Sequence, residues 1–280
     1  MIKLVLSDVD GTLIPLKRGH ASERTMRAIE QVREAGVRFG LSTGRDVMEL
    51  RALFGGNDSV FDNGVLSNGK KIMADGRLAR LTLLDNEGLE RMASIVRDYP
   101  GTFVTGYPLE SDETNPIYCI GASEDEIASF AKIYSFRGII VDHMPDVQII
   151  GSTIACPLDQ SAMDEIKARG TQACPEFDFV QPAPHWADIL PKGLNKGSAL
   201  AMLLEELGIS VDEVVVFGDA DNDLAILSSV ENAVAVANAT PAAKAASKWH
   251  IGACEDDAVA EALEQIARSA KDGGVPEFMR

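Results

Sequence analysis

Apolar positions along this chain fall into two textures. Short unbroken apolar runs mark strands covered on both faces, and stretches with a helical period separate them. Residues 2–7 are the first such run, and they end in Asp8-Val9-Asp10-Gly11-Thr12-Leu13. Ser22 caps a helix predicted to reach Ala35, with Met26, Ile29 and Val32 on one face and Gly36 as its stop. Residues 37–41 are a second strand, ending at Ser42-Thr43-Gly44-Arg45. A short helix through Met48 and Leu53 follows and stops at Gly55-Gly56. Strand, helix and strand in that order favour a parallel sheet with right-handed crossovers.

The C-terminal third repeats the rhythm. Residues 194–207 read as a helix, and Val214-Val215-Val216-Phe217 as a fully covered strand ending at Gly218-Asp219-Ala220-Asp221-Asn222-Asp223. A helix, a strand over 233–236, an alanine-rich helix over 241–246 and a last helix over 256–269 complete it. Between these stretches the texture changes. Helical segments at 87–98, 124–134 and 161–168 sit among strand-like ones at 102–105, 117–120, 138–141, 147–150 and 177–180. Pro and Gly punctuate the region often. The expected fold class is α/β, with a Rossmann-like parallel-sheet core from residues 1–82 and 187–280. A separate α/β module over 83–186 interrupts it.

Charge narrows the choice of partners. Among 280 residues, 43 are acidic and 26 basic, a net charge of −17. Nucleic-acid binding needs clustered Lys and Arg, so it is not expected, and neither is an anionic membrane surface. No run approaches the roughly 20 apolar residues of a membrane span, and the start does not resemble a signal peptide. Cys119, Cys156, Cys174 and Cys254 are scattered, with no C-x-x-C, which reads as buried free thiols in a reducing cytoplasm.

The candidate chemistry lies where polar residues follow strands. In open parallel sheets, ligands bind beyond the carboxyl ends of the strands. Asp8 and Asp10 follow the first strand, Thr43 the second, and Asp219, Asn222 and Asp223 the strand at 214–217. All are expected on one rim. Four carboxylates converging on one crevice need a cation, and hard oxygen ligands suit Mg²⁺. A magnesium site without His or Cys usually serves phosphate chemistry. Gly11 permits close backbone approach, and Lys196 opens a helix that can bring a positive charge to the rim.

This constellation resembles the haloacid dehalogenase-like phosphohydrolase superfamily, in its Cof-type branch. DxDGT appears as Asp8-Val9-Asp10-Gly11-Thr12, and the strand-ending Thr as Ser42-Thr43-Gly44-Arg45. The Lys before Gly appears as Lys196-Gly197, and GDxxND as Gly218-Asp219-Ala220-Asp221-Asn222-Asp223. Phe61-Asp62-Asn63-Gly64 looks like the Asn-Gly segment of that branch, and Val236-Ala237-Asn238-Ala239 is an altered Met-x-Asn-Ala. The resemblance implies an aspartyl-phosphate on Asp8, with Asp10 as general acid and then base. It implies that Thr43 and Lys196 hold the phosphoryl group, with Gly11, Gly44, Arg45, Asn63 and Asn222 as further substrate contacts. Mg²⁺ would be bound by Asp8, Asp219 and Asp10, the last through its carbonyl, with Asp223 either binding it directly or supporting the residues that do. The inserted module would be a cap that reads the leaving group. The expected activity is a Mg²⁺-dependent phosphatase for small phosphate esters such as sugar phosphates, either monomeric or homodimeric.

Other readings compete. A phosphomutase shares the chemistry but returns the phosphoryl group to its substrate. A receiver-like phospho-acceptor or an inactive binding protein also groups Asp, Thr and Lys, but receivers are shorter and lack the insert. Ser42 rivals Thr43, and Lys192 rivals Lys196. Arg45 and Asn63 have substrate contact and structural bonding as equal readings. His185 and Trp186 read as hinge packing before substrate contact, and His20, His143 and His250 as isolated. Asp221 reads as solvated. The cap loops at Glu110-Ser111-Asp112-Glu113 and His143-Met144 read as surface before substrate contacts. Gly64-Val65-Leu66-Ser67-Asn68-Gly69-Lys70 spells most of a phosphate-binding loop, but Lys71 follows instead of Ser or Thr, so it reads as a hairpin turn.

Overall fold

Strand β1 (Leu4–Ser7) is buried along its whole length and has a strand on each side. The computed structural model describes residues 1–109, 116–132 and 138–280. The loop at 110–113 and the end of the helix expected to reach 134 lie outside the described residues. Helix α1 (Glu23–Glu34) starts where the Ser22 hydroxyl accepts the Thr25 N–H at 3.0 Å, and it buries Ala28, Ile29 and Val32. Then come β2 (Arg38–Ser42), α2 (Val47–Leu53), β3 (Asn63–Leu66), β4 (Lys71–Ala74) and β5 (Arg77–Leu81). The turn between β3 and β4 closes an antiparallel hairpin with Leu66 opposite Lys71, as read from the sequence.

The chain divides into two units, Met1–Leu81 with Asn195–Arg280, and Thr82–Leu194. The second unit runs through α3 (Asn86–Val96), β6 (Phe103–Pro108), β7 (Ile117–Ile120), α4 (Glu124–Phe130), β8 (Gly138–Val141), β9 (Ile149–Ala155), α5 (Gln160–Ala173), β10 (Phe177–Ala183) and β11 (Trp186–Pro191). Its six strands lie in the order β10-β11-β9-β6-β7-β8, antiparallel except for the β7–β8 pair. Leu89, Met92 and Ile166 from α3 and α5 pack with Val104, Ile154 and Ile189 of the sheet. The expected return to the core at residue 187 falls inside β11. That strand pairs with β9 and β10, so the second unit continues to Leu194.

The first unit resumes with α6 (Lys196–Leu207), β12 (Val214–Gly218), α7 (Leu224–Leu227), β13 (Asn232–Ala235), α8 (Pro241–Ala246), β14 (Trp249–His250) and α9 (Ala258–Asp272). Its sheet runs β14-β13-β12-β1-β2-β3-β4-β5. The six strands from β14 to β3 are parallel. Leu4 pairs with Val214 on one side and Arg38 on the other, so both halves of the chain meet at β1. Val214, Val215 and Val216 are fully buried, and each such side chain contributes roughly 1.5–3 kcal/mol. Arg24 of α1 reaches Glu264 of α9 with two hydrogen bonds of 2.9 Å. The fold is therefore mixed α/β, with a parallel-sheet core and a second sheet. Among the described residues no helix is long and apolar enough to cross a membrane.

Candidate active site

The site grows from the carboxyl ends of β1, β2 and β12. Asp8 is the residue after β1, and its N–H donates to the Phe217 carbonyl of β12 at 2.9 Å, which fixes where its side chain leaves the sheet. Lys196 is the first residue of α6 and is 2% exposed. Its Nζ donates to Asp8 Oδ1 and to Asp223 Oδ1, both at 2.6 Å. An ammonium this deep is retained only when carboxylates compensate its lost hydration. Asn195 places it there. The Asn195 side chain accepts the Gly197 and Ser198 N–H groups and caps the helix at that point.

Asp223 turns its second oxygen inward. Oδ2 accepts the backbone N–H of Asp219 at 3.0 Å and of Ala220 at 3.2 Å. Asp223 thus orients both Lys196 and the Asp219 loop. Asp219 is further fixed by the Thr12 hydroxyl, which donates to its Oδ1 at 2.6 Å. Oxygens of Asp8, Asp219 and Asp223 all lie within 4.8 Å of one another. Burial drives the Asp8 carboxyl up to about 7, with Lys196 opposing and Asp223 and Asp219 adding to the rise. Burial raises Asp219 as well, against the Thr12 hydrogen bond. Burial acts to lower Lys196, but the two carboxylates beside it outweigh this and hold it above the ordinary lysine value.

Three carboxylates thus stand together with one ammonium, which bonds two of them. The group has unspent negative charge, hard oxygen donors and no His or Cys, which is the donor set of a hard divalent cation. The three aspartates fit such a metal. Asp10 does not bring its carboxylate to them. Arg45 holds it through Nε to Oδ2 at 2.7 Å and Nη2 to Oδ1 at 2.9 Å. Gly11 adopts φ +83°, and a Cβ there would lie 2.8 Å from Asp219 Oδ2. Only glycine fits that backbone so close to a carboxylate.

Thr43 is buried just beyond β2, and its Oγ1 accepts the Arg45 N–H at 3.2 Å, while Gly44 forms the bend between them. Ser42 is also buried, and its hydroxyl has no hydrogen-bond partner among the described residues. Asn222 is exposed in the turn before Asp223.

Asn63 is not at this site. It is the first residue of β3, level with Gly40, and its Oδ1 accepts the Asp75 N–H at 3.0 Å. Three residues of strand, about 10 Å, separate it from the rim. The Asn-Gly pattern marks the strand but does not say which of its ends carries chemistry. Lys192 pairs with Asp178 inside the second unit. His185 Nδ1 lies 3.0 Å from the Cys156 carbonyl, and Trp186 stacks on Phe130 with ring centroids 5.5 Å apart. Asp221 is exposed. All four cysteines are buried and free.

Two supports escaped the reading of the sequence. Thr12 carries no charge, and its position in the aspartate motif was the one available signal. Asn238 donates to the Gly11 carbonyl at 2.7 Å and accepts the Cys254 N–H at 2.9 Å, so it ties the Gly11 turn to the C-terminal part of the chain. Its signal was the altered Asn-Ala motif.

Fold and site together define a carboxylate-centred α/β enzyme of the hydrolase class. The chain belongs to the haloacid dehalogenase-like hydrolase family, whose model matches residues 5–263. It is 23% identical over 270 residues to 5-amino-6-(5-phospho-D-ribitylamino)uracil phosphatase YbjI of Escherichia coli, covering 95% of this chain and 97% of that one. It is 29% identical over 272 residues to HMP-PP phosphatase of Citrobacter koseri, covering 94% and 95%. The solved structure of BT1666 from Bacteroides thetaiotaomicron, a phosphatase of the haloalkanoate (HAD) superfamily, superimposes with a TM-score of 0.78 at 19% identity, covering 95% of each chain. The expected enzyme class, a phosphoric monoester hydrolase of this family, agrees with these findings.

Proposed function

We propose that the chain is a Mg²⁺-dependent phosphatase that hydrolyses small phosphorylated metabolites through an aspartyl-phosphate on Asp8. The observation that carries this reading is Lys196 donating to both Asp8 and Asp223 at 2.6 Å, with Asp219 in the same group. Asp8 Oδ1 is taken by Lys196, which leaves Oδ2 as the attacking atom. The bond from Oδ2 to phosphorus forms as the ester P–O bond breaks, and Asp10 gives its proton to the leaving oxygen. Water then attacks the same phosphorus, Asp10 takes its proton, and the Asp8–phosphorus bond breaks to release phosphate. Thr43 and Lys196 hold the phosphoryl oxygens, and Gly11, Gly44 and Asn222 border them. Arg45 positions Asp10. A divalent metal held by Asp8, Asp219, Asp223 and the Asp10 carbonyl supplies positive charge that offsets carboxylates and phosphoryl group together.

The second unit is proposed as the cap that selects the leaving group. The two relatives are named for different substrates, 5-amino-6-(5-phospho-D-ribitylamino)uracil and HMP-PP, so the proposal names the class of small phosphate esters. A cytoplasmic enzyme is part of the same proposal. The test is a panel of phosphomonoesters with Mg²⁺, run beside Asp8→Asn and beside EDTA. The parent is expected to release phosphate, with a loss of at least about 10³-fold in the variant and near-complete loss in EDTA. Normal turnover by Asp8→Asn would overturn the nucleophile, undiminished turnover in EDTA the metal, and activation only by a bisphosphate would point to a mutase.

A further inference from the structure

The loop after β3 is a rim segment that the reaction above does not use. Ser67 and Asn68 both hold left-handed backbone, at φ +51° and +56°, directly before Gly69 at +96°. Asn tolerates that region better than other side chains, but a residue such as Ser67 pays roughly 1–2 kcal/mol there, and such strain persists where the surroundings enforce it. Here the enforcement is visible. The Asn68 N–H donates to the Thr43 carbonyl at 3.1 Å and the Ser67 N–H to the Arg45 carbonyl at 3.0 Å. The Ser67 hydroxyl and the Lys71 ammonium both reach Asp46 Oδ2, at 2.8 and 2.7 Å. The strained turn is thereby bolted to the Thr43–Asp46 loop.

The turn aims one side chain. A Cβ on Gly44 would lie 3.1 Å from Asn68 Oδ1 and 3.2 Å from Nδ2, so the carboxamide rests against the bare Gly44 backbone, one residue from Thr43. Asn68 is half-buried, and its carboxamide has no hydrogen-bond partner among the described residues. β1, β2 and β12 each place a site residue just beyond their carboxyl ends, and Asn68 stands at the equivalent place after β3. Neighbouring strands are about 4.8 Å apart, so β3 lies about 10 Å from β1. That is beyond a phosphoryl group on Asp8 and at the distance of the group attached to it.

We infer that Asn68 is a specificity-determining residue whose carboxamide hydrogen-bonds a hydroxyl or similar polar group on the non-phosphoryl part of the substrate. The inference rests on the phosphatase reading and deepens it. Asn68→Gly removes the carboxamide and relieves the left-handed strain, so the variant is expected to unfold within about 2 °C of the parent. The probes are D-ribose 5-phosphate and D-glucose 6-phosphate, with acetyl phosphate as a phosphoryl donor whose leaving group has no hydroxyl. The ratio of kcat/KM for the better sugar phosphate to kcat/KM for acetyl phosphate is expected to fall about tenfold in the variant, mainly through KM. An unchanged ratio, or a parent that uses acetyl phosphate but neither sugar phosphate, overturns the role of Asn68 and leaves the phosphatase reading standing. A parent that releases phosphate from none of the three overturns both.

Discussion

Arg45 grips Asp10 with two parallel hydrogen bonds, Nε to Oδ2 at 2.7 Å and Nη2 to Oδ1 at 2.9 Å. Such a fork fixes a carboxylate in plane and direction, which a lysine cannot do. If Asp10 moves the protons, Arg45 sets where they go. Arg45→Lys is therefore expected to lower kcat roughly 10- to 100-fold with KM little changed. The fold should lose no more than about 1 kcal/mol, because the two side chains are 35% and 38% exposed. Steady-state kinetics decide the matter. A rise in KM at constant kcat would make Arg45 a substrate contact instead.

Lys196 is the counter-charge of a buried pair of carboxylates. Lys196→Met fills the space but leaves Asp8 and Asp223 without it. Breaking a buried pair in this way costs about 3–5 kcal/mol. Urea denaturation in EDTA should show that loss, and a change below about 1 kcal/mol would mean that the two aspartates find another partner.

The Asp8 carboxyl lies at about 7 in the fold against an ordinary 3.8, because burial penalises its charge. Between those values the folded protein holds a proton that the unfolded chain has released. Stability of the metal-free protein should therefore decline as pH rises from about 4 to about 7. Asp8→Asn cannot ionise there, so its melting temperature relative to the parent should climb across that window. Parallel pH profiles for the two proteins would show that Asp8 does not titrate in this range. Metal affinity should rise with pH over the same interval, since binding displaces the proton.

Gly11→Ala sets a methyl group 2.8 Å from Asp219 Oδ2 on backbone at φ +83°. The backbone strain costs roughly 1–2 kcal/mol. The displaced carboxylate should raise the Mg²⁺ concentration needed for half-maximal activity about 10- to 100-fold. A Mg²⁺ titration of activity reads this directly, and an unchanged midpoint would mean that Asp219 is not needed at its present position.

Much of the core was legible because its strands are continuous apolar runs and its chemistry follows them. Val214 to Phe217 read as a buried strand, and Asp219 and Asp223 were found by where it stops. Lys196 was legible from its motif, although only the structure shows it wedged between two carboxylates. The edge was harder. β4 is buried only at alternate positions and no residue of β5 is fully buried, so they lack the continuous apolar signal of their neighbours. β11 escaped because Pro184 and Pro191 frame it and Asp188 breaks its apolar pattern. For Asn63 the sequence left substrate contact and structural bonding as equal readings, because a motif gives residue types and order, while the end of the strand that faces the ligand is a property of the assembled sheet. Thr12 and Asn238 act through uncharged side chains, which leave no mark in charge or hydropathy.

β1 pairs Leu4 with Val214, so an earlier-made strand waits for one that is made far later in the chain. Loop closure on that scale is slow and comes late in folding. A nascent chain that has made Asp8 and Thr43 still lacks Lys196, Asp219 and Asp223, and its β1 has one open edge where β12 will dock. Truncated chains therefore carry an aspartate without its counter-charge and an apolar strand without its neighbour. The topology makes completeness of synthesis a condition of activity, and it makes prematurely ended chains candidates for aggregation or proteolysis instead of partial function.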